Sequence, residues 1–202
     1  MNQLCKICFE PIHNGDLKHY LFVDDCICYR CRSQWVYKPL VNKINNYKVK
    51  SFYLYEKGFK DCIIQYKECY DEALKDIFVY RIKWLIKIRY FSYTLVPLPS
   101  SDYAIAKRGF KHVNQMFEIL NMPMKDLLIK EKDIDQRLKN ESFRKEMIDN
   151  IKLKENVVVP KKVLLVDDII TTSATMQGAI KAIEGKAKKI RCLAVASSLK
   201  SK

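Results

Sequence analysis

The 202-residue sequence predicts an α/β protein: a mostly parallel sheet behind a small N-terminal module that needs a metal ion to hold it together. Three observations predict it. Five of the eight cysteines fall within the first 31 residues, and apolar strand-like runs alternate with helical patterns in the rest of the chain. One of those runs also ends in two adjacent aspartates and a hydroxyl-rich turn. Strands that alternate with helices are joined by crossovers, which give parallel pairing with helices on both faces.

Residues 1–38 form the first unit. Cys5 and Cys8, then Cys28 and Cys31 after nineteen intervening residues, make two C-x2-C knuckles. Each knuckle supplies two thiolates from one tight turn, and the two turns meet around a tetrahedral Zn²⁺. So short a segment has too little apolar content for a core of its own. Four protein ligands leave no open position, so the zinc is expected to be structural. Cys26 either replaces Cys28 or stays a nearby thiol; His13 and His19 are weaker competitors. Cys62, Cys69 and Cys192 read as small core residues. Cysteine clustering of this kind in a reducing compartment points to metal rather than disulfides. No run approaches the roughly 18 apolar residues of a membrane span, and a cysteine pair stands where a signal peptide would have its apolar stretch. The expectation is a cytoplasmic protein without a span, with peripheral association at the inner face of the membrane left open.

Residues 39–68 are expected to be a connecting hairpin, with one strand from Ser51, a turn at Glu56-Lys57-Gly58 and a second strand from Phe59 to Tyr66. Its aromatics Phe52, Tyr53, Tyr55, Phe59 and Tyr66 are interleaved with lysines, a mixture that suits single-stranded DNA. The competing reading packs those aromatics on the main domain. The main domain, 69–202, opens with a long helix over 69–90, whose Arg81, Lys83, Lys87 and Arg89 do not gather on one face and read as solvated. A strand at 94–99, a polar loop to Arg108-Gly109, a helix at 110–120, a strand at 126–129 and a charged loop at 130–150 follow. A strand at 163–166, a helix at 174–184 and a strand at 190–196 close the domain. The net charge of +14 fits a polyanion partner. It equally fits an AT-rich coding sequence, since 29 of the 37 basic residues are lysine.

The chemistry concentrates at Val163–Thr175. A buried strand delivers Asp167 and Asp168 at its carboxyl end, where ligands bind in open α/β sheets. The turn Thr171, Thr172, Ser173, Ala174, Thr175 then opens a helix, and its N–H groups, hydroxyls and helix dipole form a cradle for a phosphate monoester. Two carboxylates about one ribose away can accept hydrogen bonds from vicinal hydroxyls. Replacing both by amides should weaken ligand binding and leave the fold intact.

This stretch resembles the phosphoribosyltransferase signature of four apolar residues, two acids and a Thr-rich phosphate loop. Asp167 and Asp168 match the ribose-contacting acids and residues 171–175 the 5′-phosphate loop. Ser173 stands where that family usually has Gly. Together with the four cysteines, Pro97-Leu98-Pro99, Lys107-Arg108-Gly109-Phe110, Gln136 and Arg144, the whole chain resembles the ComF family of DNA-uptake proteins. Lys111-His112 departs from the family's Asn-Gln at those positions, so neither is given a role. The resemblance implies a sheet of phosphoribosyltransferase type and a part in natural transformation. It also implies phosphoribosyl diphosphate with Mg²⁺ as ligand, and single-stranded DNA and a helicase-like ATPase as partners. The alternative is an active phosphoribosyltransferase of unknown acceptor. For that chemistry the candidate diphosphate contacts are Arg108 with Lys107, and Arg137 and Arg144 on a mobile segment. No acceptor-selecting segment follows the last strand.

Overall fold

The computed structural model describes residues 3–12, 25–131 and 148–198. The expected Gln136, Arg137, Arg144, His13 and His19 lie outside them. A short helix α1 (Tyr29–Arg32) leads into a hairpin of β1 (Tyr37–Ile44) and β2 (Tyr47–Leu54). Helix α2 (Lys57–Glu68) follows, then two 3₁₀ turns (Glu72–Leu74 and Tyr80–Ile82) and α3 (Lys83–Tyr90). The remainder is β3 (Thr94–Pro97), α4 (Asp102–Arg108), α5 (His112–Glu118), β4 (Leu128–Lys130), β5 (Ile151–Leu153), β6 (Lys162–Ile170), α6 (Ala174–Ile183) and β7 (Lys189–Ser197).

The main sheet runs β1-β2-β7-β6-β3, with every pairing parallel except the antiparallel edge β1–β2; β4 and β5 form a separate two-stranded ribbon. The expected α/β class with a mostly parallel sheet is what the chain adopts. In β6, Leu164 and Val166 enter one apolar cluster while Val163 and Leu165 enter the other, as the alternation of strand side chains requires. One cluster is covered by α2, α3, α5 and the cysteine module, and the other by α6 and the β4–β5 ribbon.

Three expectations are corrected. The polar loop expected up to Arg108-Gly109 holds helix α4, whose first turn is capped by Ser101 Oγ accepting from Ala104 N–H at 3.3 Å. The hairpin lies at 37–54 and turns through Asn45 at φ 51°, whereas residues 57–68 are helical. Gly58 is needed for close approach rather than for a turn, because a Cβ there would meet Gln34 Cβ at 2.8 Å. The long helix over 69–90 is broken into two 3₁₀ turns and α3. Ile77, Phe78 and Val79 are all fully buried, and three consecutive helical residues spread over about 200°, wider than the one face that a helix packed on a single side buries.

The aromatics expected to offer a DNA platform face inward. Tyr53, Phe59 and Tyr66 are fully buried. Trp35 packs on Phe59 at 4.8 Å, Tyr53 at 5.5 Å and Phe78 at 5.8 Å between ring centroids. Trp35 therefore joins the cysteine module to the domain core, and the module does not stand apart.

Candidate functional site: a cysteine cluster and a carboxylate ring

The Sγ atoms of Cys5, Cys8, Cys28 and Cys31 lie within 4.8 Å of one another. Cys8 and Cys28 are 3.7 Å apart, and tetrahedral zinc with bonds of about 2.3 Å sets the S···S edge at about 3.8 Å. The donor set fits that ion. The two knuckles repeat one hydrogen bond: Phe9 N–H donates to Cys5 O at 2.9 Å and Arg32 N–H to Cys28 O at 3.0 Å. Burial raises the Cys5 thiol's pKa, but backbone N–H groups of Cys8, Cys28 and Ile7 outweigh it and bring the group down to about 7, which favours the ligating thiolate. Cys26 stays outside the cluster. Its thiol faces Asp25 at 3.7 Å, and burial, with Asp25 adding to it, pushes its pKa up to about 12. Arg32 ties the module down by a two-pronged pair with Asp25 at 2.8 and 2.9 Å and a bond to Ile77 O at 3.1 Å. Cys62 and Cys192 are buried as expected, whereas Cys69 is exposed.

Asp167 and Asp168 occupy the carboxyl-terminal part of β6 and project to opposite faces. Asp168 is buried and closes a ring of side chains. Its Oδ2 accepts from Lys67 Nζ at 2.9 Å and lies 3.3 Å from His112 Nε2, while its Oδ1 accepts from Ile169 N–H at 2.7 Å. Arg108 NH1 donates to His112 Nδ1 at 2.8 Å, and its Nε donates to Lys67 O at 2.9 Å. Arginine has no acceptor, so Nδ1 must carry the lone pair and Nε2 the proton that points at Asp168. Ser100 Oγ reaches the same Nδ1 at 3.1 Å, and Tyr66 OH donates to His112 O at 2.9 Å.

The charge states follow from this geometry. Burial raises the Asp168 pKa, but the Lys67 charge, with the hydrogen bonds from His112 Nε2 and Lys67, overcomes it and holds the group well below the ordinary carboxylate range. Burial lowers Lys67 too, yet Asp168 wins and keeps the ammonium charged. Burial holds His112 below its usual value, consistent with the neutral tautomer. Asp167 moves the other way: burial, then the Asp168 charge beside it, push it well above the usual range.

After β6, Ser173 sits in the left-handed region at φ 65° and precedes α6 without capping it through its hydroxyl. Helix geometry leaves the N–H groups of Ala174, Thr175 and Met176 without an intrahelical carbonyl. Thr171 and Thr172 are exposed, and Ser173 and Thr175 half-buried. Leu98 N–H donates to Val166 O at 2.9 Å, so the loop after β3 runs beside the end of β6. A cavity of about 600 Å³ is lined by Leu98, Ser100, Asn114, Lys111, Asp126 and Lys154 among others, with neither aspartate of β6 in its wall. Asp126 is held below its usual pKa there: burial opposes, but Lys111 at 2.5 Å and Lys154 at 3.1 Å prevail.

Of the sequence-stretch candidates, Arg108 thus points into the ring. Lys67, His112 and Ser100 were missed. Lys67 lies just past the strand expected from Phe59 to Tyr66 and reads there as one of the lysines among the aromatics, and His112 reads as a departure from a family pattern.

Residues 103–202 match the phosphoribosyl transferase domain, which makes the class a phosphoribosyltransferase-type α/β protein. Over 135 residues the chain is 33 % identical to competence protein ComFC of Streptococcus pneumoniae, covering 67 % of this chain and 61 % of that protein. With a four-cysteine cluster ahead of such a domain, the chain belongs to the ComF family. Two solved enzymes overlap loosely. A hypoxanthine-guanine phosphoribosyltransferase from Bacillus anthracis is 13 % identical at a TM-score of 0.39, covering 63 % of this chain and 70 % of the other. A hypoxanthine phosphoribosyltransferase from Staphylococcus aureus is 9 % identical at 0.38, covering 62 % and 66 %. Overlaps this loose carry no residue correspondences.

Proposed function

We propose that the protein is an accessory of DNA uptake that binds phosphoribosyl diphosphate with Mg²⁺ at Asp167, Asp168 and residues 171–175. Cys5, Cys8, Cys28 and Cys31 hold a structural Zn²⁺ in this reading. The observation that carries it is the ionised Asp168 at the carboxyl end of a central parallel strand, three residues before a turn whose Ser173 adopts the φ of 65° that brings free N–H groups together. The Asp168 oxygens already hold Lys67, His112 and Ile169 N–H, so Asp167, whose Oδ1 accepts the Asp168 N–H at 2.9 Å, is the less engaged carboxylate and the one for ribose hydroxyls. The name of the pneumococcal relative supports the competence role. Single-stranded DNA and a helicase-like ATPase are the partners of this reading, which places the protein in the cytoplasm; among the described residues no helix is long and apolar enough to cross a membrane.

A second reading, transfer of the phosphoribosyl group to an acceptor, is favoured by the cavity beside Ser100, which offers room for a second reactant. Such a reaction needs the departing diphosphate neutralised. Lys111, Lys130 and Lys154 are the cations on that wall; Lys111 and Lys154 are paired with Asp126, and Arg108 is engaged with His112.

Calorimetric titration with phosphoribosyl diphosphate and Mg²⁺ tests the site. Saturable binding is expected, weakened about tenfold by Asp167→Asn, which removes an acceptor for the ribose hydroxyls worth roughly 0.5–1.5 kcal/mol. Binding unchanged in that variant would overturn the assignment.

A further inference from the structure

Helix α3 shows an apolar stripe to solvent. Trp84, Leu85 and Ile88 are 60 %, 53 % and 74 % exposed, and Phe91, one residue past the helix, is 80 % exposed. At 3.6 residues per turn, Phe91, Trp84 and Ile88 fall within about 60° of one another and Leu85 widens the band, while Ile82, Ile86 and Tyr90 bury the opposite side. Basic side chains border the band on both flanks, Lys83 and Lys87 on one and Arg89 on the other. Lys87 Nζ stands 5.1 Å from the Trp84 ring and Lys83 Nζ 3.7 Å from that of Tyr80. No Asp or Glu occurs between Asp76 and Asp102. The positive field continues onto the sheet: Lys50 of β2 is lowered by burial and then by Arg89, Arg191 and Lys48 around it.

We propose that α3 is a membrane-docking face that lies flat on an anionic lipid bilayer, with Trp84, Leu85, Ile88 and Phe91 at the acyl boundary and Lys83, Lys87 and Arg89 against lipid phosphates. Apolar residues with cations on both flanks are the composition of an interfacial helix, and basic side chains reach up to the headgroups while their stems stay on the apolar band. Single-stranded DNA is also an anion, but the stripe fits it poorly. Leu85 and Ile88 have no ring on which a base can stack, and Lys87 already covers part of Trp84. A bilayer accepts all four. With only eight residues, α3 lies in the interface and does not span. The inference is independent of the sugar-phosphate reading, since no residue of the stripe belongs to that site.

The test uses the full-length, metal-loaded protein and vesicles of phosphatidylcholine with or without phosphatidylglycerol. Co-sedimentation is expected with the anionic vesicles, at least about tenfold weaker with the neutral ones, and weakened by salt. Trp84 emission should shift to the blue on binding; the other tryptophan, Trp35, is already buried. Leu85→Glu with Ile88→Glu should cut vesicle binding at least about tenfold, with metal content and Tm unchanged because both side chains are exposed. Equal partitioning of parent and variant, or no binding to anionic vesicles, overturns the proposal. So does a variant that loses affinity for single-stranded DNA and keeps its affinity for vesicles.

Discussion

Replacing Asp168 by Asn leaves the half-buried Lys67 ammonium without its counter-ion, and breaking such a pair costs up to about 3–5 kcal/mol. Asp168→Asn should therefore lower Tm sharply, and equilibrium denaturation measures by how much. The expectation that both aspartates can become amides with the fold intact applies to Asp167 alone. Asp167 has its folded pKa raised by burial and by Asp168, so the folded state binds its proton more tightly than the unfolded chain does. Stability is then lost as pH rises above the ordinary carboxylate value of roughly 3.9. Asp167→Asn should consequently be more stable than the parent at pH 7.5, with the gain vanishing near pH 4; a lower Tm at pH 7.5 would refute the charge assignment. For Asp168 the sign is opposite: its depressed pKa contributes stability that is present above the unfolded value and lost as pH falls through the folded one. Ser173→Gly should stabilise by about 1 kcal/mol, because Gly reaches φ 65° without a Cβ clash. The acid pair and the hydroxyl turn were legible because a buried strand rarely ends in two carboxylates without a ligand. Lys67, a hundred residues upstream, carries no such local sign.

At the scale of elements, most strand and helix positions from residue 94 onward were legible from apolar runs punctuated by Pro and Gly; α4, which buries no residue, was not. Where burial is decided by tertiary neighbours the reading failed. The segment 69–90 has no Gly or Pro to announce its breaks, and they come from the need to bury Ile77, Phe78 and Val79 together. Residues 57–68 become helix because one face, Phe59, Cys62, Ile63 and Tyr66, is buried, a helical spacing hidden by their aromatic, strand-like composition. The ribbon β4–β5 escaped because β5 has only three residues. Helix α6 packs so closely on the entry to β5 that a Cβ on Gly178 would lie 2.6 Å from Ile148 O. Backbone cannot give way as a flexible side chain does, so Gly178→Ala should cost about 1–3 kcal/mol, read as a fall in the urea midpoint. A midpoint equal to the parent's would mean that α6 and β5 pack less tightly than this.

Across the whole molecule, the cysteine module and the domain were legible as two chemistries and not as one core. Cys5, Ile12, Ile27 and Trp35 belong to the same apolar cluster as Leu164 and Leu193 of the central strands. Metal removal should therefore do more than release residues 1–38. Chelation, or Cys31→Ser, should lower the temperature of a single calorimetric transition for the entire chain, since binding energy at the cluster is folding energy shared with the domain. A separate low-temperature transition that leaves the main one unmoved would show the module to be autonomous.

Helix α2 runs from Phe59, against Trp35 of the module, to Lys67, against Asp168. A truncated protein designed from the matched span 103–202 would lack this helix, and also β2 and β3, the neighbours of β7 and β6. Both flanks of a two-stranded apolar remnant would then be bare, and such edges recruit further chains. Recombinant expression of that span should yield inclusion bodies, so the smallest piece of this gene that can be handled in solution has to begin before the first cysteine.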